Sequence, residues 1–339
     1  MNLNYKKPDL KNRYYDDFLE SIQPLNKLTI AITGTTSGTG FVAAQTVISK
    51  GAKVILLNRN STRAIESYNQ LKSKYPESEI YSIECDLQRF KSVRKAAKEV
   101  IEICPDGLSV LCNNAGVMAL KDISTPDGFD VQMQTNHLSH FLLTKELFKC
   151  LKKAADNNGE SRIVNHSSMA RYGVKNLEPK YLEKNGGNLG GNGKRMMLFP
   201  QGRWKRYSQT KLANCAFTAA LNDRLRNIKS NVKVFVAHPG LALTDLQQTT
   251  IIDGGMNAWM ASQMMKSGQT QEDGAIGIIK CMTDPQLVSG TFCGPGAGKM
   301  SMKGPVISFD LEAFYNNQYT KDLLWTKSCQ AIGEDFNIK

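Results

Sequence analysis

The sequence contains no hydrophobic run long enough to cross a membrane and no cysteine spacing typical of a metal site. No apolar run in the 339 residues approaches the roughly 20 residues that span a bilayer. Residues 1–23 are polar and contain no apolar signal-peptide core. The eight cysteines form no close pair, and several lie inside apolar runs, which favours free buried thiols in a reducing compartment. We therefore expect a cytoplasmic protein, with peripheral membrane contact as an open alternative.

The chain also lacks internal repeats and any linker that would divide it into two domains. Its hydrophobic fraction of 41% suits a large core. The formal net charge is +12, but residues 171–206 contain nine basic and two acidic residues, so much of the excess is local. This clustering indicates a basic flap and not a nucleic-acid-binding face. A solvated loop is the default interpretation of the flap, and contact with an anionic substrate or acidic lipid is the alternative.

Strand-like and helix-like segments alternate along the chain, as in a parallel sheet with helices on both faces. Short apolar, β-branched runs predict strands near residues 28–33, 53–57, 79–84, 108–112, 161–166, 232–237 and 289–293. Helices are predicted near residues 39–50, 61–74, 88–103, 127–153, 206–229 and 271–282. The expected fold is α/β, with a doubly wound, seven-stranded parallel sheet. A short helix near residues 14–22 is expected in an N-terminal arm.

Residues 28–40, LTIAITGTTSGTG, combine a buried strand, a glycine turn and the start of a helix. Glycines 34, 38 and 40 let a ligand approach the backbone, and the helix N-terminus attracts an anion such as a pyrophosphate. The strand at 53–57 completes a βαβ unit, which favours a dinucleotide site over a mere tight turn. We expect one Rossmann domain over residues 27–339, preceded by an arm at 1–26 and interrupted by a basic, Gly- and Asn-rich mobile loop at about 174–205.

The ends of the predicted strands provide residues suited to a dinucleotide. The second strand ends in Asn58-Arg59-Asn60, without the carboxylate that usually binds the ribose of NAD, and Arg59 can pair with a 2′-phosphate. This favours NADP(H), with a surface arginine as the alternative. Asp86, after the third strand, can accept a hydrogen bond from adenine. The small residues of Asn114-Ala115-Gly116 allow a backbone to pass close to a ribose.

A tyrosine and a lysine four residues apart follow the fifth strand and its terminal serines. Tyr207 and Lys211 share one helix face, and Ser168 can hydrogen-bond a substrate carbonyl. A tyrosine pKa near 10 is high for acid–base catalysis at neutral pH. A neighbouring ammonium and an oxidised nicotinamide favour the phenolate, so we expect the pKa of Tyr207 to be lowered.

These elements together resemble the classical short-chain dehydrogenase/reductase family. The motifs TGTTSGTG, CDL, NNAG, TNHLSHF, RIVNHSS, YSQTK and HPGLALT occur in the family's order from residue 28 to about 295. The resemblance implies a catalytic tetrad of Asn136, Ser168, Tyr207 and Lys211, in which Asn136 binds a water that links Lys211 to solvent. It implies cofactor contacts from Gly34, Thr36, Ser37, Gly38, Thr39, Gly40, Arg59, Asp86, Leu87, Asn114, Ala115, Gly116, Tyr207, Lys211, Pro239, Gly240 and Thr244.

The segments ILLNRN, SQTKLAN and LLWTKSCQAIG are similar to retinol dehydrogenase-like and protochlorophyllide reductase-like members. The resemblance implies an NADP(H)-dependent oxidoreductase that interconverts a bulky apolar ketone or aldehyde and its alcohol. Reduction of a conjugated C=C bond and a non-catalytic NADP(H) sensor or scaffold are the alternatives. The 39 residues from Ser168 to Tyr207 are more than is usual in this branch. The family often forms homodimers through the helices predicted at 127–153 and 206–229.

Four features have an ordinary structural interpretation beside a functional one. His137 and His140 lie in the TNHLSHF helix without an evident third ligand, so no metal is expected. His166 precedes the serines and is either a buried hydrogen-bonded histidine or an active-site residue. The methionines of residues 256–265 line an adaptable pocket or fill helix core. Residues 294–298, GPGAG, are expected to form a turn and not a second phosphate loop.

Overall fold

The computed structural model describes residues 8–192, 201–296 and 301–338, and within them one sheet of eight strands. All seven predicted strands are present. The spatial order is β3-β2-β1-β4-β5-β6-β7-β8, and every pair is parallel except β7 with β8. The strands are β1 (Thr29–Thr33), β2 (Lys53–Asn58), β3 (Ile80–Glu84), β4 (Val110–Asn113), β5 (Ser161–His166), β6 (Val232–Ala237), β7 (Phe292–Gly294) and β8 (Ile307–Phe309).

Helices cover both faces of the sheet, as the alternating pattern predicts. The α-helices are α1 (Tyr15–Ser21), α2 (Gly38–Ser49), α3 (Thr62–Lys74), α4 (Phe90–Ile103), α5 (Val131–Met133), α6 (Ser139–Asn158), α7 (Gln201–Asn227), α8 (Asp245–Ile252), α9 (Ala258–Met265), α10 (Gln271–Thr283) and α11 (Gln318–Ile332). A π-helical turn (Gln134–Leu138) joins α5 to α6, and two 3₁₀ turns (Met169–Gly173 and Pro179–Leu182) precede α7.

The two faces of the sheet form two separate hydrophobic cores. Residues from α4, α6, α7 and α11 fill the core on one face, and residues from α1, α2 and α10 fill the other. Strand β1 contributes Ala31 to the first core and Ile30 and Ile32 to the second, because successive side chains point to opposite faces. A strand buried on both faces has to be apolar throughout, which is why β1 reads as a continuous hydrophobic run.

The strand order reverses beside β1, which pairs with β2 on one side and with β4 on the other. The helices that follow β1 and β4 therefore lie on opposite faces of the sheet. Their separation leaves a crevice at the carboxyl end of β1, where open α/β sheets bind ligands. The glycine turn lies at this crevice.

Three parts of the fold differ from the sequence prediction. The sheet has eight strands and not seven, because β8 adds to the edge in antiparallel orientation. Helix α7 begins at Gln201, so the insertion is shorter than residues 174–205. The stretch at 241–270, which lacks a clear periodicity, contains the short helices α8 and α9. Of the turn at 294–298, residues 297–298 lie outside the described part of the chain.

The described part of the glycine-rich insertion is hydrogen-bonded to the body of the protein, whereas its composition predicts a mobile loop; residues 193–200 of that predicted loop lie outside the described part of the chain. The buried carboxylate of Asp122 accepts hydrogen bonds from the backbone N–H groups of Gly187, Leu189 and Gly190 at 2.6–2.8 Å. Glycine turns leave such N–H groups without partners of their own, and one distant carboxylate can satisfy several of them. This long-range pairing is not visible in a local sequence pattern.

Three arginines of the basic flap pair with acidic residues elsewhere in the chain. Arg171 pairs with Glu312 at 2.7 Å, and Arg203 pairs with Asp253 at 2.9 Å. Arg206 pairs with Asp130, as described below. All three arginines are buried, so they do not present charge to a partner. Among the described residues, no helix is long and apolar enough to cross a membrane.

Candidate active site

A cavity of about 1210 Å³ opens at the carboxyl edge of the sheet. The glycine turn after β1 and the loops after β2 to β6 line it, together with α7 and α8. It therefore lies at the crevice where the strand order reverses. Such a volume suits a large dinucleotide together with part of a second ligand.

The glycine turn has a backbone shape that other residues rarely adopt. Gly34 and Gly38 have φ angles of +71° and +61°, in the left-handed region that favours glycine. A Cβ on Gly40 would lie 2.2 Å from the amide nitrogen of Asn114 and 2.2 Å from the carbonyl oxygen of Gly34. Helix α2 begins at Gly38, so its free N–H groups face the cavity. These features fit the pyrophosphate of a dinucleotide.

Asn114 connects the glycine turn to β4 and β5. Its Nδ2 donates to the carbonyl oxygens of Thr33 and Gly34 at 2.9 and 3.1 Å. Its Oδ1 lies 3.3 Å from Thr39 Oγ1 and 2.9 Å from His166 Nδ1, so both groups donate to it. His166 is thus buried and hydrogen-bonded while it also lines the cavity, and both interpretations of this residue hold. Desolvation lowers its pKa to about 3.

The end of the cavity beside β2 carries two arginines. Arg59, at the end of β2, lines the cavity and is exposed. Arg63, in the first turn of α3, also lines it, although the sequence analysis did not select this residue. The Nη2 atom of Arg63 lies 2.9 Å from Ser37 Oγ and 2.9 Å from Asp245 Oδ2. Arg63 lies four residues after Arg59, on the helix that follows β2, and this position could have indicated a second arginine at the cavity.

Tyr207, Ser168 and Lys211 meet at the other end of the glycine turn. The Ser168 side chain lies close enough to the Tyr207 hydroxyl to lower the pKa of the tyrosine. Lys211 Nζ lies 5.7 Å from the centre of the Tyr207 ring and donates to the carbonyl oxygen of His166 at 3.0 Å. Helix α7 carries the tyrosine and the lysine on one face, and Ser168 follows β5. The spacing in the sequence thus brings the three side chains together.

The acidity of this cluster differs from the sequence prediction. Burial raises the pKa of Tyr207 to about 12, although the neighbouring Ser168 side chain acts to lower it. Burial also lowers the pKa of Lys211 to about 8. Desolvation destabilises the charged form of each group and outweighs the attraction that was expected to lower the tyrosine pKa. The sequence prediction also included the positive charge of an oxidised nicotinamide, which the cofactor supplies and the protein does not.

Asn136 lies behind the cavity wall and does not line it. Its Oδ1 accepts from the N–H of Val117 at 2.8 Å, and its Nδ2 donates to Val117 O and Thr210 Oγ1, both at 2.9 Å. A Cβ on Gly116 would lie 3.3 Å from Asn136 Oδ1 and 3.5 Å from Lys211 Nζ, so both atoms face this glycine. Asn136 occupies the π-helical turn, a distortion that is frequent at functional sites.

Every other residue predicted for the cofactor or for catalysis lines the cavity: Gly34, Thr36, Ser37, Gly38, Thr39, Gly40, Arg59, Asp86, Leu87, Asn114, Ala115, Gly116, Ser168, Tyr207, Lys211, Pro239, Gly240 and Thr244. Thr244 is the N-cap of α8 and forms a capping box with Gln247. It lies against Gly38, where a Cβ would be 3.1 Å from its side chain. The loop after β6 and the glycine turn therefore face each other across the cavity.

The remaining end of the cavity is apolar and rich in methionine. Met118, Met256 and Met264 line it together with Trp204, which contacts Tyr207 edge to face with ring centres 5.9 Å apart. Of the methionines at 256–265, two line the cavity and Met265 is buried outside it. Trp204 was not predicted, although it lies three residues before Tyr207 on the same helix face. Methionine side chains are flexible and adapt to apolar ligands of irregular shape.

The chain is similar to known short-chain dehydrogenases. The short chain dehydrogenase family model matches residues 28–181. The Brassica napus short-chain dehydrogenase TIC 32 A, chloroplastic, is 35% identical over 65% of this chain and 65% of its own length. Mouse retinol dehydrogenase 14 is 36% identical over 64% of this chain and 62% of its own length. The chain thus spans somewhat less than two thirds of the length of these relatives.

Two comparisons extend over nearly the whole chain. Human polyprenol dehydrogenase is 28% identical over 96% of this chain and 91% of its own length. The crystal structure of an uncharacterized protein from Mycobacterium paratuberculosis is 28% identical, covers 94% of this chain and 98% of that chain, and superimposes with a TM-score of 0.70. These matches support a short-chain dehydrogenase/reductase of the retinol dehydrogenase-like branch.

Proposed function

We propose that this chain is an NADP(H)-dependent oxidoreductase that interconverts a bulky apolar ketone or aldehyde and its alcohol. The observation that carries the proposal is the meeting of Tyr207, Ser168 and Lys211 in one cavity with the glycine turn. The tyrosine and serine side chains lie close together in the cavity lining, so a single carbonyl oxygen can contact both. The names of the retinol and polyprenol dehydrogenases support an alcohol or carbonyl substrate.

In the proposed reduction, Ser168 donates a hydrogen bond to the substrate carbonyl oxygen and holds it beside Tyr207. Tyr207 transfers its proton to that oxygen as negative charge develops there. Lys211 places a positive charge close to the phenol and stabilises the phenolate that remains. When bound, the nicotinamide supplies the hydride for the carbonyl carbon. In the oxidation, the phenolate of Tyr207 removes the hydroxyl proton of the alcohol.

The choice of NADP(H) follows from the charges at the end of β2. No carboxylate directly follows this strand in the sequence, whereas Arg59 and Arg63 both line the cavity beside it, and Asp245 of α8 pairs with Arg63 alone of the two. Arginine pairs well with a phosphate group, and a carboxylate here would repel it. The methionines and Trp204 at the opposite end support a bulky apolar substrate, because burial of their apolar surface favours binding of such a molecule.

The test is an assay of purified protein with NADPH and a panel of apolar aldehydes and ketones. Tyr207→Phe is expected to lower kcat by about 10²–10⁴-fold, the range for a lost general acid. NADPH binding should be retained. Tyr181→Phe is the matched control, because Tyr181 is a buried tyrosine outside the cavity. Turnover by Tyr207→Phe at the wild-type rate would refute the mechanism, and tight NADPH binding without turnover of any panel member would favour a binding-only role.

A further inference from the structure

An ion pair joins the start of α8 to the end of the cavity beside β2. The carboxylate of Asp245, the first residue of α8, lies 2.9 Å from Arg63 Nη2. The same nitrogen also lies 2.9 Å from Ser37 Oγ in the glycine turn. Arg63, Ser37 and Asp245 all line the cavity. A single guanidinium group therefore joins α3, the glycine turn and α8.

This ion pair is partly exposed to solvent. The side chain of Arg63 is 51% accessible and that of Asp245 is 33% accessible. Exposed pairs contribute little to stability, because water solvates both partners well. A group with more negative charge than one carboxylate can therefore displace Asp245 from the guanidinium.

We propose that Asp245 competes with the 2′-phosphate of the cofactor for Arg63 and so weakens the binding of NADP(H) selectively. This inference rests on the proposed function, because it assumes a cofactor that carries a 2′-phosphate. The 2′-phosphate binds beside Arg59 and Arg63, and the nearby carboxylate of Asp245 opposes it in two ways. It occupies the Nη2 donor of Arg63, and its charge repels the phosphate. A cofactor without a 2′-phosphate has no such competitor.

Asp245 is proposed to lower the affinity for the cofactor, whereas an ordinary binding residue raises it. A residue that orients Arg63 toward the phosphate increases affinity, and its removal weakens binding. A competitor lowers affinity, and its removal strengthens binding. Asp245 thus acts as a specificity-determining residue that limits how tightly the phosphorylated cofactor is held.

The experiment measures the affinity of adenosine 2′,5′-bisphosphate and of 5′-AMP by calorimetry, since both probes lack the nicotinamide. Asp245→Asn is expected to bind the bisphosphate about two- to tenfold more tightly than the wild type, a range set by an exposed ion pair and one repulsive charge. Its affinity for 5′-AMP should be unchanged, which shows that the site is intact. Asp245→Glu should restore the wild-type affinity for the bisphosphate.

Two further variants test whether the effect acts through Arg63. In an Arg63→Gln background, Asp245→Asn is expected to give a clearly smaller gain in bisphosphate affinity, because the contested donor is gone and only the charge repulsion is relieved. Glu77→Gln removes an exposed carboxylate in the loop after α3 and controls for net charge. The proposal is overturned if Asp245→Asn leaves bisphosphate affinity unchanged or weaker, if the gain is equally large without Arg63, or if Glu77→Gln gives the same gain.

Failure of the proposed function gives a different result. A wild-type protein that binds the bisphosphate no more tightly than 5′-AMP does not prefer NADP(H), and that result rejects the choice of cofactor itself. A protein that prefers the bisphosphate, but in which Asp245→Asn brings no gain, keeps the proposed cofactor and loses only the competition.

Discussion

Arg206 and Asp130 form an ion pair that is removed from solvent on both sides. Arg206 Nη1 lies 2.6 Å from Asp130 Oδ1, and their side chains are 0% and 1% accessible. Arg206 immediately precedes Tyr207 on α7. Asp130 is the N-cap of α5, where its Oδ2 accepts from the N–H of Met133, and α5 leads into the turn that carries Asn136. The pair therefore fixes the helix of the proposed catalytic tyrosine against the helix of Asn136.

The first prediction concerns removal of one member of this pair. Arg206→Met leaves the Asp130 carboxylate buried without its cation, and burial already raises the pKa of this group. We expect the free energy of unfolding to fall by about 3–5 kcal/mol, the usual cost of breaking a buried pair from one side. Urea denaturation measures this change. The double variant Asp130→Leu/Arg206→Met should recover part of the loss, and a loss below about 1 kcal/mol in Arg206→Met would contradict the assignment.

The second prediction concerns the pH dependence of carbonyl reduction. The reaction requires protonated Tyr207 and charged Lys211. With a tyrosine pKa of about 12 and a lysine pKa of about 8, both conditions hold below pH 8, and the lysine charge is lost as pH rises above it. We expect kcat/KM to be flat from pH 6 to about 7, to reach half its maximum near pH 8 and to fall about tenfold per unit at higher pH.

A pH profile measured from pH 6 to 10 tests this expectation. Lys211→Met should be slower at pH 7 and should lose the break near pH 8, since the titrating ammonium is absent. A break that persists in Lys211→Met would assign it to another group.

The third prediction concerns stability in acid. Burial lowers the pKa of every histidine in the chain from 6.5 to about 3 or 4, and the four residues are His137, His140, His166 and His238. Between these values the unfolded chain binds more protons than the folded protein, so stability is present above pH 6.5 and is lost as pH falls. Each histidine contributes a slope of up to about 1.4 kcal/mol per pH unit.

Urea denaturation at a series of pH values between 7.5 and 5 measures this slope. His137→Gln is the matched comparison, because His137 contacts Ser328 and lies outside the cavity. The free energy of unfolding of His137→Gln should change with pH less steeply than that of the wild type, by up to about 1.4 kcal/mol per pH unit, which corresponds to one proton. Equal slopes for the two proteins would exclude His137 as one of the groups responsible.

The fourth prediction concerns the subunit state. The resemblance to the family implies pairing through the helices at 127–153 and 206–229. In this protein α11 covers part of that face, where Trp325 packs edge to face on Phe141 at 5.2 Å and beside Arg224 at 3.9 Å. Phe336 stacks on Trp325 at 5.1 Å. We expect a monomer, because the apolar side chains of that face are already buried within the chain.

Light scattering coupled to gel filtration measures the mass in solution. The wild-type chain should elute with the mass of one subunit. Truncation after residue 316 removes α11 and should produce self-association or unfolding, because Phe141 and Phe217 lose their cover. A wild-type chain that elutes with the mass of a dimer would contradict this expectation.

Local sequence patterns predicted the parts of the site that depend on neighbouring residues. These parts are the glycine turn, the strand-end residues Asn114 and Ser168, and the spaced pair Tyr207 and Lys211, and all of them line the cavity. Each depends on backbone conformation or helical periodicity over a few residues, which composition and spacing record directly. The sequence does not predict Arg63 and Trp204, because the contacts of a polar or aromatic residue on a helix depend on how that helix packs in the fold.

The sequence by itself determined the alternating α/β order and most of the side chains gathered at the carboxyl ends of the strands, since these follow from periodicity and from the geometry of parallel strands. The tertiary structure decided the acidity of Tyr207 and Lys211, the neutralisation of Arg171 and Arg203, and the covering of the family's pairing face by α11. Burial and long-range charge pairing set these properties. Both depend on contacts between residues far apart in the chain, which no local pattern contains.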